Sequence, residues 1–141
     1  MPRVRCTTVL VVDDFDAFRQ FVRSTLRKNP QLQIIGEAAD GLEAVHKAEE
    51  LQPDLIVLDL GLPTLNGIEA ARQIRKLSPE SKILFLSQES DPDVVQEALG
   101  AGGRGYVLKT RAEMDLLAAV EAVLEGKRFF SDGLQISFPS E

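Results

Sequence analysis

The chain has one cysteine, one histidine, one tyrosine and no tryptophan. A lone Cys6 cannot close an internal disulfide, and with so little cysteine and histidine there is no ligand set for a zinc or iron site. Cys6, at the start of an apolar stretch, is expected to be buried as a small apolar side chain. Apolar runs are short. None approaches the roughly 20 residues a membrane helix needs, and Met1 to Cys6 lacks the apolar centre and cleavage site of a signal peptide. A cytoplasmic chain with no membrane partner is expected. Basic residues are outnumbered, 16 Lys and Arg against 22 Asp and Glu, which leaves a formal net charge of −6. No direct nucleic-acid binding by this chain is expected, because gripping a phosphate backbone needs a basic face.

What the chain does have is enough apolar residue for one core: 44% hydrophobic and 27% charged over 141 residues, the size and balance of one globular domain. Short apolar runs alternate with helical patterns. Thr7 to Val12 reads as a first strand; Phe15, Phe18, Val22 and Leu26 recur at helical spacing, with Asp14 or Asp16 as cap and Asn29-Pro30 as stop. A second strand lies within Gln31 to Ala38. Asp40 and Glu43 cap a helix to about Leu51, and Leu55 to Leu58 is a strand buried on both faces. Asn66 and Glu69 cap a third helix carrying Ile68, Ala71, Ile74 and Leu77. Lys82 to Ser87 is the next strand, and Asp91-Pro92 opens a helix to about Leu99. Gly105 to Leu108 is a fifth strand, and Thr110 to Glu113 caps a last helix that runs to Glu125, with Gly126 as its C′ residue. Five βα units in series imply an α/β fold, a doubly wound parallel sheet with helices on both faces.

In such a fold chemistry belongs at the C-terminal ends of the strands. Asp13 and Asp14, Asp59, Ser87 and Lys109 all stand at such ends, on four different strands. Gly61 and Pro63 turn the chain just past Asp59 and hold that carboxylate at the rim. Carboxylates gathered in one crevice repel, a pair at ~4 Å by on the order of 4 kcal/mol at an effective dielectric of 20. A hard cation with oxygen ligands, Mg²⁺ above all, would neutralise them and leave room for a phosphate oxygen. With Lys109 as a second cation and Ser87 as a neutral donor, the set suits phosphoryl transfer to Asp59.

Val11-Val12-Asp13-Asp14, Leu58-Asp59-Leu60-Gly61-Leu62-Pro63, Asn66-Gly67, Phe85-Leu86-Ser87 and Gly105-Tyr106-Val107-Leu108-Lys109 together resemble the CheY-like receiver domain of two-component response regulators. The resemblance implies a flavodoxin-like, five-stranded sheet of order 2-1-3-4-5 over residues 1–126, with 127–141 as linker or tail. It implies that Asp59 takes a phosphoryl group from a sensor histidine kinase, that Asp13, Asp14, Asp59 and the Gly61 carbonyl bind Mg²⁺, and that Lys109 is the basic partner. Ser87 and Tyr106 would be the switch pair: Ser87 is drawn in on phosphorylation and Tyr106 turns into the vacated space. The remodelled surface of the fourth helix, fifth strand and fifth helix would meet a partner or a second copy as a homodimer. Self-catalysed transfer and autodephosphorylation are the only chemistry implied, so the chain is a phosphoprotein in signal transduction rather than an enzyme.

Asp40 to Ala44, Leu60 to Pro63, Ala98 to Lys109 and Gly126 to Ser131 are similar to receivers of transcription regulators with a LuxR-type helix-turn-helix output. The 141 residues contain no such output, so an excised receiver or a regulator without its own DNA-binding part is expected. Phe129, Phe130, Leu134, Ile136 and Phe138 would pack on the domain or on a partner. Two positions depart from the family's usual pattern: Gln88 follows Ser87 where a small residue is common, and Gly61 leaves no side chain over the site. Among other classes, a haloacid-dehalogenase-like phosphohydrolase would want an aspartate where Gly61 stands. A flavodoxin-like FMN binder would want a Ser/Thr-rich loop where Asp13-Asp14-Phe15-Asp16 stands. The rival that survives is a degenerate receiver, a phosphorylation-independent interaction module.

Overall fold

The computed structural model describes residues 6–134; Ile136 and Phe138 lie outside the described residues, as does most of the N-terminal stretch read above. Strands β1 (Thr7–Val12), β2 (Leu32–Ala38), β3 (Leu55–Leu58), β4 (Lys82–Ser87) and β5 (Gly103–Leu108) alternate with helices α1 (Asp16–Leu26), α2 (Gly41–Leu51), α3 (Gly67–Leu77) and α4 (Pro92–Gly100). A 3₁₀ turn (Lys109–Arg111) and α5 (Ala112–Leu124) follow, and β6 (Phe129–Phe130) closes the series. Every strand pair is parallel.

The period of two along each strand sorts its side chains into two cores. Leu10, Val12, Ile56, Leu58, Ile83, Phe85 and Tyr106 face α2, α3 and α4, where Ala44, Ala48, Ala71, Ile74 and Ala98 meet them. Val9, Val11, Leu55, Val57, Leu84, Leu86 and Val107 face the other way, onto Val22 and Leu26 of α1 and Leu116, Ala119, Val120 and Val123 of α5. β3 is buried along its whole length, as a strand covered on both faces should be.

The sheet order is β2-β1-β3-β4-β5-β6. The first five strands keep the expected order, but the sheet has six strands, not five. β6 aligns Phe129 with Gly105 and Phe130 with Tyr106, and Gly105 is what lets it approach: a Cβ there would lie 2.9 Å from the Phe129 carbonyl oxygen. Phe129 then packs on the α1/α5 core, and Phe130 and Leu134 on the other. The segment after Gly126 therefore begins as part of the sheet.

Three of the expected caps are present. Asp40 accepts from the Glu43 amide at 2.8 Å, Asn66 from Glu69 at 3.0 Å and Asp91 from Asp93 at 2.9 Å. Two are not. α1 has no side-chain cap at Phe15, because Asp13 takes the Phe15 amide at 2.9 Å instead. α5 has none either, because the 3₁₀ turn that begins at Lys109 leads straight into it. Cys6 is exposed rather than buried, one position ahead of the first strand.

Candidate functional site

The backbone ladder runs one step past the strands and fixes two aspartates side by side. The Asp13 amide donates to the Ala38 carbonyl at 3.0 Å, and the Asp59 amide donates to the Val12 carbonyl at 3.1 Å. Beyond Asp59 the chain folds back, and the Gly67 amide donates to the Leu60 carbonyl at 2.8 Å. Gly67 touches the strand end so closely that a Cβ would sit 2.1 Å from the Asp59 carbonyl oxygen. No other residue type fits there without moving Asp59.

Lys109, at the start of the turn after β5, reaches across to both acids. Its Nζ lies 2.7 Å from Asp13 Oδ2 and 3.1 Å from Asp59 Oδ2. Asp59 Oδ1 accepts from the Leu60 amide at 2.7 Å. All three ionic side chains are nearly shut off from solvent, while Asp14 is exposed at the mouth of the cleft. One carboxylate oxygen each from Asp13, Asp14 and Asp59 lie within 4.8 Å of one another. Burial pushes the Asp13 carboxyl above its ordinary pKa, and the charge of Asp59 adds to this against the opposing hydrogen bond from Lys109. Burial works to lower Lys109, but its hydrogen bond to Asp13 and the charge of Asp59 outweigh it and hold the ammonium above its ordinary value. The shared ammonium thus keeps its own proton firmly without fully offsetting the burial of Asp13.

Ser87 is buried at the end of β4, and its Oγ accepts from the Glu89 amide at 3.2 Å. The Tyr106 hydroxyl donates to the Glu89 carbonyl at 2.7 Å, so Glu89 backbone atoms link the two expected switch residues. Tyr106 has no solvent exposure, and burial pushes its phenol pKa up to about 12. The ring stacks obliquely on Phe85 at 6.1 Å between centroids. In this conformation the Tyr106 ring lies inside the domain. Asp14, Asp59, Gly61, Ser87, Gln88 and Lys109 line one open cleft, walled on its far side by Asn66, Ile68 and Arg72 of the α3 end and Val94 and Glu97 of α4. Five strand-end residues from four strands thus meet on one lip, and Tyr106 touches it from beneath.

The family model for the response regulator receiver domain matches residues 9–121. The chain belongs to the response regulator receiver family. The receiver is 39% identical over 122 residues to the response regulator protein VraR of Staphylococcus aureus, covering 86% of this chain and 58% of the relative. It thus spans a little over half the length of the curated relatives it matches. Among solved structures it is similar to a LuxR-family two-component response regulator from Aurantimonas sp., with 35% identity, a TM-score of 0.85 and coverage of 90% of this chain and 91% of that one. It is also similar to the signal receiver domain of the putative response regulator NarL from Mycobacterium tuberculosis, with 28% identity, a TM-score of 0.82 and coverage of 87% and 99%. Among the described residues, no helix is long and apolar enough to cross a membrane.

Three residues of this receiver's site were not legible as such. Phe18 reads as core at helical spacing, yet its ring centroid lies 4.5 Å from Lys109 Nζ and offers the ammonium a third, aromatic neighbour. Phe15 is largely exposed and lines the cleft beside Asp14. Arg19 donates to the Asp13 carbonyl at 2.5 Å. Their positions next to Asp13-Asp14 are the only hint in the chain itself.

Proposed function

We propose that this receiver is a signalling phosphoacceptor: an oxygen of the Asp59 carboxylate attacks the phosphorus of a kinase phosphohistidine, the P–O bond forms as the P–N bond breaks, and the imidazole leaves. The observation that carries this is the 3.1 Å pair between Lys109 and Asp59 at the floor of an acidic, open cleft. A carboxylate nucleophile lining an open cleft, with a lysine beside the incoming charge and a serine hydroxyl in the same cleft, is what phosphoryl transfer asks of a protein. Ser87 would donate to an oxygen of the transferred group and Lys109 would pair with another.

The donor set also fits Mg²⁺. Three carboxylates converge within 4.8 Å of one another, all the donors are hard oxygens, and Asp14 stands open to solvent, a set that suits a hard divalent cation. Asp13, Asp14, Asp59 and the Gly61 carbonyl would hold the ion, which would supply charge neutralisation for the phosphoryl oxygens. Lys109 already spans two of those acids, so its ammonium keeps the site compact before the ion arrives.

Switching, on this reading, works through the Ser87–Glu89–Tyr106 chain. Withdrawing Ser87 toward a phosphoryl oxygen takes its Oγ from the Glu89 amide, and the freed loop changes the surface of α4. The phosphoryl group must favour that surface by a few kcal/mol to move the population usefully. A homodimer or partner contact through α4, β5 and α5 would have to accommodate β6, which covers the outer edge of β5. Upstream the partner is a sensor histidine kinase; downstream the effect is on transcription, in the cytoplasm, with DNA contacted by another domain. On this reading residues 1–126 would carry the receiver and 127–141 a linker or tail, whose Phe129 and Phe130 add a strand to the receiver's sheet. No site residue is missing, so the degenerate alternative has no observation in its favour.

Incubation with Mg²⁺ and a small acyl phosphate, followed by intact mass, tests the reading. One phosphate adduct on wild type and none on Asp59→Asn or without Mg²⁺ is the expected result; an equal adduct on Asp59→Asn overturns it.

A further inference from the structure

Arg19 bonds to the backbone of the acidic pair without touching Asp59, and it is well tied for a helix residue. Its NH1 donates to the Asp13 backbone carbonyl at 2.5 Å, its NH2 to Asp16 Oδ1 at 2.9 Å and its Nε to Glu37 Oε1 at 3.1 Å. Glu37 is held in turn by Arg23, whose NH1 lies 2.6 and 2.7 Å from its two oxygens. The Arg19 side chain is 16% exposed. A rigid guanidinium fork therefore joins β2, the first turn of α1 and the loop carrying Asp13 and Asp14, a three-way bridge that an ammonium cannot span.

That loop needs an anchor. α1 starts without a side-chain cap, Asp13 spends one carboxylate oxygen on the Phe15 amide and the other on Lys109, and Asp14 stands exposed. The carbonyl taken by Arg19 belongs to the peptide unit between Asp13 and Asp14, so its orientation sets both side chains.

We propose that Arg19 is a positioning residue for divalent-cation binding, fixing the Asp13–Asp14 peptide so that both carboxylates face Asp59, with Glu37 and Arg23 holding Arg19 in place. This rests on the Mg²⁺ reading of the site given above. Removing an outer-shell partner of this kind weakens metal binding by about tenfold or more.

The test is calorimetric titration of the metal-free 141-residue chain with Mg²⁺, alongside thermal melts, for wild type, Arg19→Met, Arg19→Lys and Val120→Ala. Arg19→Met keeps the apolar stem and loses the fork; its Mg²⁺ dissociation constant is expected to rise about tenfold. Arg19→Lys keeps the charge and is expected to fall between the two. Val120→Ala loosens the core on the α1/α5 face without removing any bond to Asp13 or Arg19, and should lower the melting temperature with Mg²⁺ affinity unchanged. A folded Arg19→Met, or Arg19→Lys if Met does not fold, that binds Mg²⁺ as tightly as wild type overturns the proposal and leaves the parent reading standing. A wild-type chain that takes up no Mg²⁺ overturns both.

Discussion

Lys109 Nζ lies 3.1 Å from Asp59 Oδ2 although the two residues are 50 positions apart in the chain. The same nitrogen lies 2.7 Å from Asp13 Oδ2, so one ammonium holds together the C-terminal ends of β1, β3 and β5. Replacing Lys109 by Met leaves two buried carboxylates facing each other. Breaking a buried pair in this way costs about 3 kcal/mol, and Mg²⁺ should restore part of it by binding only the folded state. Urea unfolding with and without Mg²⁺ measures both; a variant as stable as wild type without metal contradicts the pairing.

The pH dependence of stability separates the two partners. The Lys109 pKa is raised, so its contribution is complete below its ordinary value of 10.5 and is lost as pH climbs through the higher folded value. Asp13 is raised as well, but it is an acid. The folded state prefers its protonated form, so ionising it costs stability, a cost absent below its ordinary value of 3.8 that builds as pH rises through the folded value. In metal-free buffer the stability of Asp13→Asn relative to wild type should therefore increase from pH 4 to pH 7. A difference that does not change with pH over that range contradicts the raised Asp13.

Gly67 is the position where packing and site meet. A methyl group there would lie 2.1 Å from the Asp59 carbonyl oxygen and 2.7 Å from Leu60 Cα, backbone atoms that cannot swing aside. Gly67→Ala is expected to destabilise by about 2 kcal/mol, in the range of overpacked cores, and to slow phosphorylation by displacing Asp59. Denaturant unfolding together with the phosphorylation rate checks it; an unchanged rate in a destabilised protein means that Asp59 does not depend on this contact.

Ser131 ties β6 to the receiver. Its amide donates to the Tyr106 carbonyl at 3.0 Å, its Oγ accepts from the Leu108 amide at 3.1 Å and donates to Asp115 Oδ2 at 2.8 Å. Ser131→Ala leaves the Leu108 amide without its partner and should cost about 1–3 kcal/mol. Hydrogen exchange at Leu108 should quicken as β6 loosens; exchange as slow as in wild type would show that β6 is held by Phe129 and Phe130 alone.

The contrast between Asp40 and Ser131 shows what a reader of the bare chain can reach. Caps at Asp40, Asn66 and Asp91, the alternating strands and the five strand-end residues follow from patterns within a few positions of one another, and local backbone chemistry decides them. Asp13, Asp14, Asp59, Ser87 and Lys109 were legible as a set because strand ends in a parallel sheet share one rim whatever the loops do. β6 was not, since a two-residue strand has no period, and it forms because Gly105, far back in the chain, leaves room for it. The uncapped start of α1 depends on Asp13 turning its side chain onto Phe15, and Cys6 on where the first strand begins. Arg19 was hidden for the same reason: its partners come from β2 and the end of β1, and only the assembled sheet brings them together.

The central claim is that the phosphoryl group resides on the Asp59 carboxylate. Phosphorylating the chain with an acyl phosphate and Mg²⁺, reducing the acyl phosphate with borohydride and mapping the peptides tests it most directly. The account predicts homoserine in place of the aspartate at position 59 and nowhere else. Reduction at another carboxylate, or an adduct that survives both borohydride and hydroxylamine, would contradict it.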